Sequence, residues 1–387
     1  MQETELRLVE GVDYRTGSPV AVEIEDGRIR DIRNIKRSDD LPWLAPGFVD
    51  LQVNGFAGID LNALPLSAEA LFSLTRMLWA EGVTAYLPTV ITNSDEAIEE
   101  ALRVIAAAIR EEPLLERIIP GIHLEGPFIS PEDGPRGAHD PAYVKPPDWA
   151  LFQRWQNAAA GRIRLVTLSP EWPDAIDFIE KCVRTGVRVA IGHTAAGTEQ
   201  IAAAVRAGAS LSTHLGNGAH AMLPRHPNYI WDQLAEDQLL ATMIGDGFHL
   251  PDSVLKVFLA MKKEKAMLVS DVVSLGGREP GEYETHIGGK VVLTPEGKLH
   301  LKEQPQLLAG SVQTLRQSVS YLIRKQLCKL PQAWDMASVR PAAYLGLPAL
   351  RGLAAGAPAD LAVFKQTAGE IRIFRTIKRG CVLHETG

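Results

Sequence analysis

The sequence predicts a (β/α)8 barrel, the TIM barrel fold, joined to a small β-sandwich domain built from both chain ends. From about Gly47 onward, short β-branched runs alternate with helical stretches rich in Ala, Leu and Glu, which is the pattern of an α/β parallel sheet. Eight such runs fit the chain, and several are continuously apolar, as strands buried on both faces are. Both ends of the chain alternate in short bursts instead, which is typical of antiparallel strands.

Along the chain, a predicted N-terminal sheet comes first, and the barrel strands and helices follow it. A small antiparallel sheet is predicted from about Leu6 to Arg33, and it stops at the break Ala45-Pro46-Gly47. The predicted barrel strands are Phe48–Val53, Val83–Leu87, Ile118–Leu124, Ile163–Leu168, Val187–Ile191, Ser210–His214, Leu240–Ile244 and Ala266–Ser270. The predicted helices between them include Ala68–Glu81, Asp95–Arg110, Pro173–Thr185, Thr198–Ala207 and Pro251–Lys262.

The last third of the chain predicts a hairpin, two helices and further strands. The hairpin lies in THIGGKVVLTPEGKLHL, with turns at Gly288-Gly289 and Pro295–Gly297, and helices follow at about Ala309–Lys325 and Gln332–Leu345. The tail strands have the N-terminal sheet as their natural partner, so we expect residues 1–46 and 348–387 to form the small β-domain and 47–347 the barrel. A doubly wound open sheet is the alternative, but no glycine-rich phosphate-binding turn follows the first strand.

Composition excludes several classes of partner. The chain has 40 Lys and Arg against 47 Asp and Glu, a net charge of −7, which disfavours nucleic acid and anionic membranes because both require a basic face. No stretch approaches the roughly 18 apolar residues that cross a bilayer. The N-terminal MQETELRLVEG lacks an export signal, and three cysteines are too few for a disulfide framework. We therefore expect a cytoplasmic protein with no nucleic-acid or membrane partner.

Four polar residues come at the carboxyl ends of four predicted strands: Glu125 in HLEGPF, His193 in VAIGHT, His214 in LSTHLGN and Asp271 in LVSDVV. Barrel enzymes build their sites at this end. A single histidine there is more often structural, and a single aspartate more often caps a helix. Together, one glutamate and two histidines suit a borderline divalent ion such as Zn²⁺, while Asp271 is placed to carry a proton from water to a leaving nitrogen. The sequence thus points to hydrolysis of a C–N bond.

An ordered series of motifs is similar to one known family. PGFVDLQVNG, GIHLEGPF, IGHT, STHLGN, GDGFH, LVSD and LLAGS, followed by ADLAVF in the tail, resemble the N-acetylglucosamine-6-phosphate deacetylases of the amidohydrolase superfamily. HLEGPF combined with the two histidines and the aspartate is the specific part of this resemblance. The resemblance implies removal of an acetyl group from an amino-sugar phosphate, which gives glucosamine 6-phosphate and acetate.

The resemblance also implies roles for individual residues. It makes Glu125, His193 and His214 the metal ligands and Asp271 the catalytic acid/base. Arg225 matches an arginine that the family uses for phosphate, often across a dimer interface, so a homodimer is expected. The remaining implied substrate contacts are Ala138, His139, Asn217, Gly218, His249, Leu308, Ala309 and Gly310.

The first strand departs from most amidohydrolases. Where they carry a histidine pair for a second metal, this chain has Gln52 and Asn54, which are poor zinc ligands. We therefore predict one divalent ion per chain, Zn²⁺ first, with Fe²⁺, Co²⁺ or Mn²⁺ as alternatives. The family's H-L-x-N-A-M and R-E-P-G are here HLGNGAH and RHPN. The extra His220 and His226 are expected at the surface, with extra polar contacts to the ligand as the alternative. These changes leave another amino sugar, phosphorylated or free, as an alternative substrate.

Two other functions compete with deacetylation. Cyclic amidases and base deaminases of the superfamily generally use the first-strand histidine pair or a modified lysine after the fourth strand, and here that strand ends in Ser169-Pro170. A catalytically inactive scaffold is the third hypothesis. Retention of three ligands and Asp271 disfavours it, because a scaffold has no need of the complete set.

Overall fold

The barrel is a single parallel sheet whose strands are neighbours in chain order. The computed structural model describes residues 5–285 and 289–386. Within them, eight strands form the sheet, and each pairs with the next along the chain. The barrel strands, in order, are Phe48–Val53, Val83–Ile91, Ile122–Glu125, Ile163–Leu168, Arg188–Ile191, Leu211–Ser212, Leu240–Ile244 and Ala266–Val269. The predicted open-sheet alternative is thereby excluded.

Contacts between the first and last strands close the barrel on one side. The backbone N–H of Asp271 donates to the carbonyl of Gln52 at 3.1 Å, and Val53 forms a parallel bridge with Val272. Ser270 Oγ donates to the same Gln52 carbonyl at 3.2 Å. The predicted (β/α)8 barrel is confirmed.

Helices pack outside the strands, and several begin at recognisable caps. Ser67 and Ser94 accept hydrogen bonds from backbone N–H groups of the first turns of the two helices that follow them. The helices are Ala68–Ala80, Asp95–Glu111, Pro113–Ile118, Trp149–Ala158, Ala175–Arg184, Thr198–Arg206, Tyr229–Ala235, Asp252–Lys262, Leu315–Arg324, Leu330–Met336 and Val339–Leu345. In the described part of the chain, no helix combines the length and the apolar character that a membrane crossing requires.

Several predicted boundaries differ from the observed ones, and three of the differences have clear local reasons. The third barrel strand begins at Ile122 rather than Ile118, because Pro113 starts a short helix that ends at Ile118. The single helix predicted over Gln332–Leu345 is two helices, Leu330–Met336 and Val339–Leu345, which are separated by an irregular Ser338. The helix predicted from Ala309 begins at Leu315, after a capping box made by Thr314 and Gln317.

Both chain ends meet in a second sheet, as predicted. Strand Trp43–Pro46 lies at its centre, where it pairs parallel with Leu8–Asp13 and antiparallel with Leu361–Thr367. The seven strands of this sheet in the described residues are Leu8–Asp13, Pro19–Glu25, Arg28–Asn34, Trp43–Pro46, Leu361–Thr367, Glu370–Lys378 and Cys381–Glu385. The exact division into residues 1–46 with 348–387 and 47–347 stays a prediction.

A stack of buried aromatic rings joins this end sheet to the barrel. The ring of Trp334 lies 4.5 Å from that of Phe48 in the first barrel strand and 4.3 Å from that of Phe364 in the end sheet. Its indole N–H donates to the carbonyl of Pro46 at 2.7 Å. Burial of these large rings makes the two sheets one packed body.

A small antiparallel sheet extends from the loop after the last barrel strand. Its strands are Gly281–Thr285, Gly289–Leu293 and Leu299–Leu301, which confirms a hairpin in this segment. Gly288 of the predicted first turn lies outside the described residues. Residues after the third strand bring Leu308 to Gly310 over the carboxyl end of the barrel.

Candidate metal centre and active site

The four predicted site residues stand where the barrel strands end. Glu125 is the last residue of the third strand, and His193, His214 and Asp271 each come two residues after the fifth, sixth and eighth strands. These three have positive φ values of 49°, 27° and 50°. Side chains larger than glycine adopt this backbone at a cost of about 1–3 kcal/mol, which the surrounding structure must offset. The chain turns sharply here, and the three side chains meet over the barrel.

Glu125, His193 and His214 form a tight cluster of donor atoms. His214 Nε2 lies 3.0 Å from Glu125 Oε1 and 3.2 Å from His193 Nε2, and His193 Nε2 lies 3.4 Å from the same carboxylate oxygen. All three side chains are buried. Within the described residues, this is the group whose donor atoms lie close enough together to hold a metal ion. Two imidazole nitrogens and a carboxylate oxygen at this spacing fit a divalent cation of the zinc type.

His193 is fixed so that Nε2 faces the cluster. Its Nδ1 lies 2.8 Å from the carbonyl oxygen of Pro135 and donates to it, which leaves the lone pair of Nε2 free for a ligand bond. The ring lies between two glycines: a Cβ on Gly137 would come within 3.2 Å of it, and one on Gly218 within 2.6 Å. Both glycines have positive φ, which glycine adopts at low cost, and their lack of a Cβ lets the ring of His193 pack against them.

The pKa of Glu125 shows that the cluster favours a carboxylate. Burial alone would raise it, but the polar contacts of the carboxylate with the imidazoles of His193 and His214 outweigh burial and hold the pKa well below its usual range. An ionised Glu125 in a buried site requires positive charge nearby. A cation held by the cluster would supply that charge.

Asp271 stands beside the cluster and is held by two amides. Gln52 Nε2 donates to Glu125 Oε1 at 2.8 Å and to Asp271 Oδ1 at 2.9 Å, and Asn54 Nδ2 donates to the same Asp271 oxygen at 2.7 Å. Burial, followed by the charge of Glu125, raises the pKa of Asp271 to about 6. A carboxylate with a pKa near neutrality suits general acid/base work.

Two further histidines face the cavity with one nitrogen already engaged. His139 Nδ1 lies 2.8 Å from Thr92 Oγ1, and burial followed by the charge of His193 lowers its pKa to about 3, so the ring is neutral. His249 Nδ1 donates to Asp246 Oδ2 at 2.7 Å. In both rings the Nε2 atom is left for a ligand.

A cavity of about 410 Å³ opens over these groups. The sequence-predicted residues that line it are Glu125, Ala138, His139, His193, His214, Asn217, Gly218, His249, Asp271, Leu308, Ala309 and Gly310. Arg225 is absent from this lining and lies exposed on the loop before Tyr229. Among the described residues, no lysine or arginine lines the cavity.

Sequence reasoning missed two contributors to the site. It treated Gln52 only as a poor ligand, whereas its amide bridges Glu125 and Asp271. It favoured the surface for His220 over a contact with the ligand, whereas His220 lines the cavity and contacts Glu132 and Tyr229 at 3.0 and 3.1 Å. The change from the family's usual sequence around Gly218 was the available signal for the second. His226, the other extra histidine, is exposed.

A barrel with a cluster of side chains able to hold a metal ion, and a further carboxylate, at its carboxyl end has the architecture of the metal-dependent barrel hydrolases. The particular group follows from comparison: the chain belongs to the amidohydrolase family, whose family model matches residues 43–385.

Relatives of known name carry the comparison further. The chain is 34% identical to the N-acetylgalactosamine-6-phosphate deacetylase of Shewanella sp. (strain ANA-3), with 88% of this chain and 86% of the relative covered. It is 32% identical to the N-acetylglucosamine-6-phosphate deacetylase of Bacillus subtilis (strain 168), over 87% of this chain and 83% of the relative.

Solved structures give the same result for the fold. A mutant N-acetyl-D-glucosamine-6-phosphate deacetylase from Mycobacterium smegmatis, in complex with N-acetyl-D-glucosamine-6-phosphate, superposes with a TM-score of 0.85 at 27% identity, covering 98% of this chain and all of that one (100%). The N-acetylglucosamine-6-phosphate deacetylase from Thermotoga maritima gives a TM-score of 0.84 at 26% identity, with 99% and 100% covered.

Proposed function

We propose that this chain is a metal-dependent deacetylase that hydrolyses the acetamide of N-acetylglucosamine 6-phosphate to glucosamine 6-phosphate and acetate. The observation that carries the proposal is the placement of Asp271 beside the cluster of Glu125, His193 and His214 in one cavity. The names of the relatives supply the substrate class. Zinc as the ion and a cytoplasmic location remain predictions.

Each group has a defined task in this reaction. Glu125, His193 and His214 hold one divalent ion, which when bound supplies Lewis acidity that lowers the pKa of water towards neutrality. Asp271 takes the proton of the attacking water on its carboxylate and delivers it to the sugar nitrogen, so that the nitrogen leaves as an amine. His139, neutral at pH 7, is placed to hydrogen-bond the acetyl group through Nε2.

Gln52 and Asn54 favour a single ion. Their amide N–H groups donate to Glu125 and Asp271, at the positions where most of the superfamily holds a second metal. An N–H group that donates to a ligand oxygen occupies the space that a second cation would need. A metal analysis that finds two tightly bound ions per chain would contradict this part of the proposal.

The phosphate requires a cation that the described cavity lining does not contain. We infer that Arg225 of a second copy supplies it in a homodimer. Arg225 is exposed and makes no hydrogen bond or ion pair with described residues, so its guanidinium is available to a ligand of a partner subunit.

Arg225→Ala should raise KM for the phosphorylated sugar by roughly 10–100-fold, the effect of losing a charge-assisted hydrogen bond. It should leave KM for the free sugar unchanged. The exposed Arg37, in the end sheet's connecting segment, gives the matched control Arg37→Ala, which should behave as the wild type. Equal effects of Arg225→Ala on both sugars would reject the assignment.

The test of the whole proposal is acetate release from four substrates assayed side by side. They are N-acetylglucosamine 6-phosphate, its galacto epimer and the two unphosphorylated sugars. We expect the phosphorylated gluco sugar to give the highest kcat/KM. The galacto epimer is the second candidate because a relative at 34% identity bears that name. No acetate from any of the four would refute deacetylation of amino sugars.

A further inference from the structure

One carboxylate outside the cavity ties together three loops at the carboxyl end of the barrel. Glu171 follows the fourth strand, and its side chain accepts hydrogen bonds from Ser130 Oγ at 2.8 Å, Ser169 Oγ at 2.7 Å and the backbone N–H of Ala195 at 2.7 Å. Ser130 belongs to the loop after the third strand, and Ala195 to the loop after the fifth. Glu171 therefore joins the loops after three consecutive strands.

Two of these loops hold His193. The backbone N–H of Ser130 donates to the carbonyl of His193 at 2.8 Å, and Pro135, five residues further on, accepts from His193 Nδ1 at 2.8 Å. On the other side, Thr194 Oγ1 lies 2.7 Å from Ser169 Oγ, the same hydroxyl that donates to Glu171. Each hydrogen bond to Glu171 thus fixes backbone or side chain next to His193.

The backbone of His193 needs this support. Its φ of 49° belongs to the left-handed region, and a residue there costs about 1–3 kcal/mol unless its surroundings hold it. Glu171 forms no ion pair with the residues that the structure describes, so three hydrogen bonds are what satisfies its charge. A carboxylate that accepts from two hydroxyls and one amide makes bonds of the strong, charge-assisted kind.

We propose that Glu171 is a positioning residue that holds His193 in its strained backbone conformation and so sets the affinity of the Glu125, His193 and His214 cluster for metal. It touches neither substrate nor ion and acts through the loops. The proposal concerns the ligand geometry alone, so it holds whichever amide the enzyme cleaves.

The experiment compares Glu171→Gln with a control of ordinary structural cost. The amide keeps the size of the side chain, removes the charge and leaves one acceptor oxygen, so at least one of the three bonds from Ser130, Ser169 and Ala195 is lost or reversed and the others lose their charge-assisted character. Asp148→Ala is the control, because Asp148 also accepts two backbone N–H bonds, at 2.8 and 3.1 Å, but as the cap of helix Trp149–Ala158. Ser130→Ala, which removes one of the three bonds, is the milder second variant.

The measurements are Zn²⁺ affinity by competition with a chromophoric chelator, thermal unfolding of the metal-free protein and amide exchange at Ala195. We expect Glu171→Gln to weaken Zn²⁺ binding by roughly 10–100-fold and to speed exchange at Ala195, with a smaller loss for Ser130→Ala. Asp148→Ala should lower the Tm and leave Zn²⁺ affinity unchanged.

Two results would overturn the proposal. Zn²⁺ affinity equal to the wild type in both Glu171→Gln and Ser130→Ala would show that Glu171 serves folding only. Failure of the wild-type chain itself to bind Zn²⁺ would remove the metal centre and this role with it, whereas tight binding without acetate release would overturn only the proposed substrate.

Discussion

Positive φ angles occur in the end sheet and at the carboxyl end of the barrel, but for different reasons. In the end sheet, Asp26, Ala368 and Arg379 each precede a glycine in a two-residue hairpin turn. Such turns need positive φ at both positions because their twist then matches that of the strands. At the barrel, His193 and Asp271 have the same conformation with no hairpin to require it. In the end sheet, positive φ serves to connect two strands. At the barrel, the same conformation costs free energy and directs the side chains towards the cavity.

Stability and activity therefore depend on different regions of the molecule. Substitutions at the barrel's carboxyl end should change catalysis at little cost in folding free energy. Substitutions in the end sheet and at its junction with the barrel should lower the free energy of unfolding and leave catalysis almost unchanged.

The largest expected effect is that of Asp271→Asn. The variant should lose roughly 10³-fold or more in kcat, because the group that moves the proton is gone. It should keep its metal, since Glu125, His193 and His214 are intact. Steady-state acetate release and metal analysis of the purified variant check both statements. Full activity would refute the role of Asp271.

Trp334→Ala tests the other side of the comparison. Removal of this fully buried ring from between Phe48 and Phe364 should cost about 3–5 kcal/mol in the free energy of unfolding. The kcat of the folded enzyme should stay within twofold of the wild type. Denaturant unfolding, paired with activity below the unfolding transition, measures both. A kcat that falls in step with stability would break the proposed separation.

Activity and folding stability should change with pH in opposite directions. Burial first, and then Glu125, raise the pKa of Asp271 to about 6 in the metal-free site. In the metal-loaded enzyme, kcat/KM should fall about tenfold per pH unit on the acid side of the pKa of this base, as the base is protonated. A carboxyl group whose pKa is raised by folding stabilises the fold at low pH and loses this contribution as pH rises through about 6.

The metal-free protein shows this linkage most directly. Its free energy of unfolding should carry a contribution from Asp271 that declines between about pH 4 and pH 6, and Asp271→Asn should lack that contribution. Identical pH–stability curves for wild type and variant would contradict the raised pKa.

The smallest effect is expected at a hairpin turn. Ala368 has φ 50°, where asparagine is better tolerated than alanine, so Ala368→Asn should stabilise the protein by about 0.5–1 kcal/mol without changing kcat. Ala368→Val, β-branched, is the matched control and should destabilise it. Thermal unfolding of the three proteins orders them, and a reversed order would show that the turn is not under strain.

Sequence patterns predicted the barrel well because short β-branched or apolar runs alternate with helical stretches along the chain, and several of the runs are continuously apolar. Glu125, His193, His214 and Asp271 could be found since each follows such a run, and strand ends meet at one end of a barrel. Residues that act through partners far away along the chain could not be found in this way. Gln52 bridges groups 73 and 219 residues away, which no local pattern records.

Local exceptions account for the errors in helices. Trp149–Ala158 was missed, although Asp148 caps it, because it follows a long irregular segment. The helix predicted over Gln332–Leu345 contains Pro341, which is tolerated in the first turn of a helix, and the chain divides just before it, at Ser338, into two helices.

The central position of strand Trp43–Pro46 in the end sheet has a consequence for biosynthesis. One edge of this strand pairs with Leu8–Asp13 early, but the other waits for Leu361–Thr367, more than 300 residues later. Until the ribosome has made that partner, an open backbone edge stays available to neighbouring nascent chains. The end sheet is therefore completed late in synthesis. A chain that ends before Leu361 keeps an unpaired strand edge that can associate with other chains.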